Sequence, residues 1–148
     1  MWTQLMHHDN LAKTKTSHFR RKFHLNEAEK KYIADKGLDH LRKQAEFVIS
    51  TKILHPLAND GYQTPYYGHP IFKAQHATAT CCRNCIRKWW RFPSNRSLNK
   101  TEFSFIVNLI MKWVKKEMEK YEDSSKTKQQ RITTLSDYHT EEQRKATT

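Results

Sequence analysis

Apolar residues in this chain recur at helical spacing and nowhere alternate for long enough to build a strand. Leu38, Leu41, Ala45, Val48 and Ile49 line one face of a helical stretch, and Phe103, Ile106, Val107, Ile110, Trp113 and Val114 line another. A pattern with this period does not settle into a sheet, so the expected fold class is all-α. With 148 residues there is room for one modest core and not two. We expect a single small helical domain of about four helices, bounded by local signals.

Those signals are specific. Asn26-Glu27-Ala28-Glu29 opens the first helix, with Asn26 as cap and Glu29 reaching back from the third helical position. Gly37 either ends that helix or kinks it. Residues 54–69 carry Pro56, Asn59-Asp60-Gly61, Pro65 and Gly68, which break the pattern into a long loop of the kind that often carries function. Pro70 suits the first turn of the next helix. A second Asn-x-x-Glu cap, Asn99 with Glu102, starts the last one. The expected organisation is a flexible leader over 1–17, a helical domain over 18–121 and a disordered tail over 122–148.

Charge narrows the partners. The net charge is +12, and the five acids and five bases of residues 122–148 cancel. The excess therefore lies on residues 1–121, with 22 basic and 10 acidic side chains. A body this basic favours polyanions, either nucleic acid or a phosphorylated ligand. There is no apolar stretch of signal-peptide length at the start, and no run approaching the roughly 20 residues of a membrane span. The three cysteines are odd in number, and Cys81 and Cys82 are neighbours, which argues against a disulfide framework. The expectation is a cytoplasmic protein with reduced thiols and no membrane partner.

Reactive side chains concentrate in one place. Gly68 to Trp90 spans 23 residues and holds all three cysteines, two histidines and two of the four tryptophans. The segment reads Gly68-His69-Pro70-Ile71-Phe72-x-Ala74-Gln75-His76-Ala77-Thr78-Ala79-Thr80-Cys81-Cys82-Arg83-x-Cys85-x-x-Lys88-Trp89, preceded by Asn59-Asp60-Gly61-x-Gln63-Thr64-Pro65. On these residues the chain resembles the uncharacterised bacterial family catalogued as domain of unknown function 4186, from about Phe19 to about Trp113. The resemblance implies membership and no activity, because the family carries none. In one place the chain departs from the family pattern. Where that pattern has a Trp-His pair followed by Ile-Pro-Lys-Gly, this chain reads Trp89-Trp90-Arg91-Phe92-Pro93-Ser94-Asn95.

The segment admits two geometries. If residues 70–91 form one helix, Lys73, Thr80, Arg83, Arg87, Trp90 and Arg91 fall within about 60° of His76, a cationic ridge. Ile71, Ala74, Thr78, Cys81, Cys85 and Trp89 then take the opposite face, and the cysteines are small buried hydrophobes. Lys73, Arg83, Arg87, Trp90 and Arg91 would engage nucleic acid or another polyphosphate. This is the leading functional expectation.

If instead the chain breaks near Thr78 or Thr80, Thr80 caps a helix whose first turn holds Cys81 and Cys82. Two further functions open. One is an enzyme with Cys82 or Cys81 as nucleophile, His76 as base, and Asn59, Asp60 and Gln63 placing substrate, with Asp60 a candidate general base itself. The other is a zinc site from His69, His76, Cys82 and Cys85, since Cys82-x-x-Cys85 is half of such a site. Both need the break, because an unbroken helix puts His76 and Cys85 on opposite faces.

Overall fold

The structure is a computed structural model that describes residues 10–119 and 121. Every regular element among the described residues is helical, as the period of the apolar pattern requires. The helices are α1 (Asn10–Lys15), α2 (His18–Arg21), α3 (Glu27–Lys36), α4 (Leu38–Lys52), α5 (Pro70–Ala77) and α6 (Arg83–Trp90), followed by α7 from residue 100 onward. The chain divides after residue 115, with units Met1–Lys115 and Lys116–Thr148. Of the second unit, residues 116–119 and 121 are described and are helical. The tail expected over 122–148 lies outside the described residues. No helix among the described residues is long and apolar enough to cross a membrane.

The ends of the helices follow local chemistry. Asn26 and Glu29 form a reciprocal capping box at 2.8 and 2.9 Å, and Asn99 and Glu102 repeat it at 2.8 and 3.0 Å. Gly37 ends α3 outright, at a φ of 88° that favours glycine, and α4 begins directly after it. Leu41, Ala45 and Ile49 line the buried face of α4 and are fully excluded from water. Ile71, Ala74, Ile86, Ile106 and Ile110, likewise fully buried, complete the centre of the core.

The leader expected over 1–17 is structured from residue 10 onward. Leu11 and Thr14 of α1 are buried, and Lys13 donates to the Trp89 carbonyl while its ammonium stands 5.3 Å from the Trp90 ring centroid. A cation at the carbonyl end of α6 complements the helix dipole there. This long-range docking is what orders a segment with no periodicity of its own.

The decisive feature is the break after α5. Ala79 adopts φ 58° and the Thr80 N–H donates to the Gln75 carbonyl at 2.8 Å, a Schellman-type stop. An alanine in this left-handed conformation costs about 1–2 kcal/mol. The turn is held by the Trp90 indole, which donates to the Thr78 carbonyl at 2.9 Å, and by Gln75, which donates to the Thr80 carbonyl at 3.3 Å. Residues 70–91 are therefore two short helices and not one.

Candidate metal centre

α6 starts two residues later than expected, at Arg83, and its cap is Cys82 and not Thr80. The Cys85 N–H donates to the Cys82 sulfur at 3.3 Å. Asp60 completes the helix start, accepting from the N–H of Arg83 at 2.9 Å and of Asn84 at 2.8 Å. Thr64, from the same loop, donates its hydroxyl to the Cys81 carbonyl at 2.7 Å. Loop 54–69 thus grips both sides of the cysteine turn.

The turn brings the thiols together. The sulfurs of Cys81, Cys82 and Cys85 lie within 4.8 Å of one another, with Cys81 and Cys82 buried and Cys85 half-buried. Among the described residues, one cation is seen to face them. Arg20 of α2 donates from Nη2 to the Cys85 sulfur at 3.2 Å and from Nη1 to the His76 carbonyl at 2.6 Å, and its Nη1 lies 3.9 Å from the Cys81 sulfur. Arg20 itself is buried. Hydrogen bonds from the Cys81 and Cys82 thiols, reinforced by Arg20, hold the Cys85 thiol down at about 2, against burial. Hydrogen bonding within the cluster and burial push Cys82 up instead. Cys81 is also raised, because Cys85 and burial outweigh the hydrogen bond from Cys82 that favours its thiolate. The metal-free cluster thus favours a thiolate at Cys85, the sulfur nearest the guanidinium.

These three sulfurs could hold a metal ion. Zinc bonded tetrahedrally at about 2.3 Å sets ligand sulfurs about 3.8 Å apart, so the cluster needs to close by about 1 Å at most. Three thiolates and a divalent ion leave a net charge of −1, which Arg20 offsets.

Several expected site residues have other employment. His69 caps α5, its Nδ1 accepting from the Ile71 N–H at 3.0 Å, and stands outside the thiol group. His76 is buried in an aromatic stack, with ring centroids 4.3 Å from Tyr66 and 5.5 Å from Phe23 and planes within 18°. Its Nε2 faces the Thr64 carbonyl at 3.3 Å, and it too stands outside the group. Burial holds both imidazoles below their ordinary value. Cys81, absent from the expected metal set, is one of the three sulfurs that could hold an ion. Asp60, the candidate general base, serves as a helix cap here: each carboxylate oxygen accepts from an N–H of α6, and Gln63 donates to one of them at 2.7 Å. Gln63 in turn accepts from the Gly61 N–H at 2.7 Å, which locks the loop.

The cationic ridge does not form, because the break resets the helical angles. Arg83 is 1% exposed and donates to the carbonyls of Ile53, Leu54, Pro93 and Arg96 at 2.6–3.4 Å. It ties the loop after α4 to the loop after α6 and is out of reach of a phosphate. Lys73 is half-buried against Glu29 at 2.6 Å, and Trp90 is spent on the Thr78 turn. Arg87 and Arg91 are exposed, with Arg87 donating to Asn84 at 2.9 Å and Arg91 closing α6 at φ 65°.

Arg20 and Thr64 both touch the cysteine turn, and sequence spacing reveals neither contact. For Arg20 the one visible signal is a basic patch punctuated by Phe19 and Phe23. No solved structure matches the chain. With the cysteine turn and its flanking loop in place, the comparison with known families agrees with the motif, and the chain belongs to the family described as domain of unknown function (DUF4186), whose model matches residues 8–115.

Proposed function

We propose that the protein binds a zinc-class metal ion through Cys81, Cys82 and Cys85, with Arg20 as its charge partner. The observation that carries this reading is the convergence of three sulfurs within 4.8 Å around a single turn. Thiolates select soft, filled-shell ions over magnesium and calcium, which take oxygen. Three protein ligands leave a fourth position for water or a small ligand, the arrangement of reactive zinc and not of closed structural zinc. Half-buried Cys85 leaves that side reachable from solvent.

The test is elemental analysis of untagged full-length protein prepared without chelator, followed by replacement with cobalt. About one equivalent of zinc is expected, with a thiolate-to-cobalt absorption whose intensity counts sulfur ligands. Cys81→Ser, Cys82→Ser and Cys85→Ser each remove one sulfur from that count and weaken affinity by about a hundredfold or more. His69→Gln and His76→Gln leave the stoichiometry unchanged. Substoichiometric metal with no cobalt–thiolate absorption overturns the reading.

A further inference from the structure

A second feature lies outside the thiol cluster. A hollow of about 300 Å³ opens between α2 and the loop before α5, lined by Phe19, Lys22, Phe23, Tyr66, Tyr67 and Lys73 among others. That volume is at the lower end of small-molecule sites. Phe19, Tyr66 and Tyr67 are 39%, 51% and 82% exposed, although large aromatics are normally drawn inward.

The walls are already ordered. Phe23 and Tyr66 are parallel within 9°, Tyr66 stacks on buried His76, and Phe19 stands edge-on to both Phe23 and Tyr66. An ordered aromatic wall binds a flat ring without the entropy cost of arranging itself first. The lining contains Lys22, His24 and Lys73 and no carboxylate, and the Lys73 ammonium is already held by Glu29 at 2.6 Å and the His24 carbonyl at 3.1 Å. The Lys22 ammonium sits over the Phe19 ring, 4.8 Å from its centroid, which places a cation beside the Tyr66 and Tyr67 rings of the same hollow. Flat π-surfaces beside an ammonium complement a planar ring that carries an anion.

We infer that this hollow binds a nucleoside monophosphate, the base against Tyr66 and Tyr67 and the phosphate at Lys22. The inference does not depend on metal binding. The two sites are nonetheless neighbours: the Arg20 guanidinium that reaches Cys85 also lies 5.6 Å from the Phe19 centroid. A ligand in the hollow rests one side chain away from the thiols.

The experiment is calorimetric titration of the full chain with adenosine monophosphate, adenosine, inorganic phosphate and a short single-stranded oligonucleotide, in chelator and again with zinc. Saturable binding of the monophosphate at one site is expected in both conditions. Adenosine and phosphate alone bind at least about tenfold more weakly, since each supplies half of the contacts. Tyr67→Ala, at a position largely in solvent, and Lys22→Ala each weaken the monophosphate by about tenfold, and Lys22→Arg restores most of the loss. Absence of saturable binding overturns the proposal, as does monophosphate affinity that survives Tyr67→Ala and Lys22→Ala combined in one chain. Phosphate binding as tightly as the monophosphate also overturns it. So does an oligonucleotide that binds where the mononucleotide does not, because that outcome assigns the surface to a polymer.

Discussion

Arg20 and Cys85 are 65 residues apart in sequence, yet a guanidinium nitrogen of one lies 3.2 Å from the sulfur of the other. A buried cation at that distance makes the thiolate the favoured state. In the metal-free protein we therefore expect Cys85 to alkylate first, at a pH well under the ordinary thiol value of 9.0. Arg20→Gln moves the midpoint of that thiol's labelling upward by about one pH unit or more, while Arg20→Lys retains part of the effect. The measurement is the pH–rate profile of iodoacetamide labelling, resolved by peptide mass. An identical midpoint for Cys85 in the wild type and Arg20→Gln would refute the charge assignment.

Arg83 is a structural residue, and its removal reads out as stability. Four carbonyls lose their donor together in Arg83→Met, and a lysine in its place cannot reach them all. We expect a loss of about 3 kcal/mol or more, seen as a lower urea midpoint with unchanged slope. A variant as stable as the wild type contradicts the buried role.

How much of this was legible in the chain depended on distance along it. The boxes Asn26/Glu29 and Asn99/Glu102, the Pro70 start and the Gly37 stop are all local, and each stands where the residues predict. The break between α5 and α6 was one of two readings, because an alanine at positive φ carries no signature of its own. Its φ is imposed by Trp90 and Gln75. Arg83 was misplaced for the same reason, since its angle was counted through a turn that is not helical. Contacts such as Arg20 to Cys85 leave no trace in spacing, because they are made only once the chain has folded back.

Asp60 tests the start of α6. Asp60→Ala strips the acceptor from two helix N–H groups and is expected to cost about 1–2 kcal/mol. Asp60→Asn recovers part of that loss, because an amide oxygen still accepts. Neither change alters the number of metal ions bound per chain. A collapse in metal stoichiometry with full stability retained would assign Asp60 to the site itself.

Acidification destabilises the metal-free fold across the neutral range. Burial keeps His69 and His76 below 6.5, so their contribution is complete above that value and is lost as pH falls through it. Cys85, depressed from 9.0 to about 2, contributes in the same sense, since the unfolded chain takes up the proton first. Cys81 and Cys82 are raised, so their contribution is lost only as pH rises past the ordinary thiol value. The urea midpoint of chelated protein is therefore expected to be higher at pH 7.5 than at pH 5.5. The drop between the two is smaller in Cys85→Ser. A midpoint that rises on acidification inverts the sign and rejects the assignment.

The helix that carries Arg20 is four residues long. A helix of that length has no standing of its own in water, and it persists because its arginine is clasped by the His76 carbonyl and the cysteine sulfurs. The segment from residue 18 to 21 and the cysteine turn are consequently one cooperative unit. A protease that clips the chain just after residue 21 would leave every cysteine in place and still disarm the site. The fragment would keep its ligands and lose the positive charge that balances them.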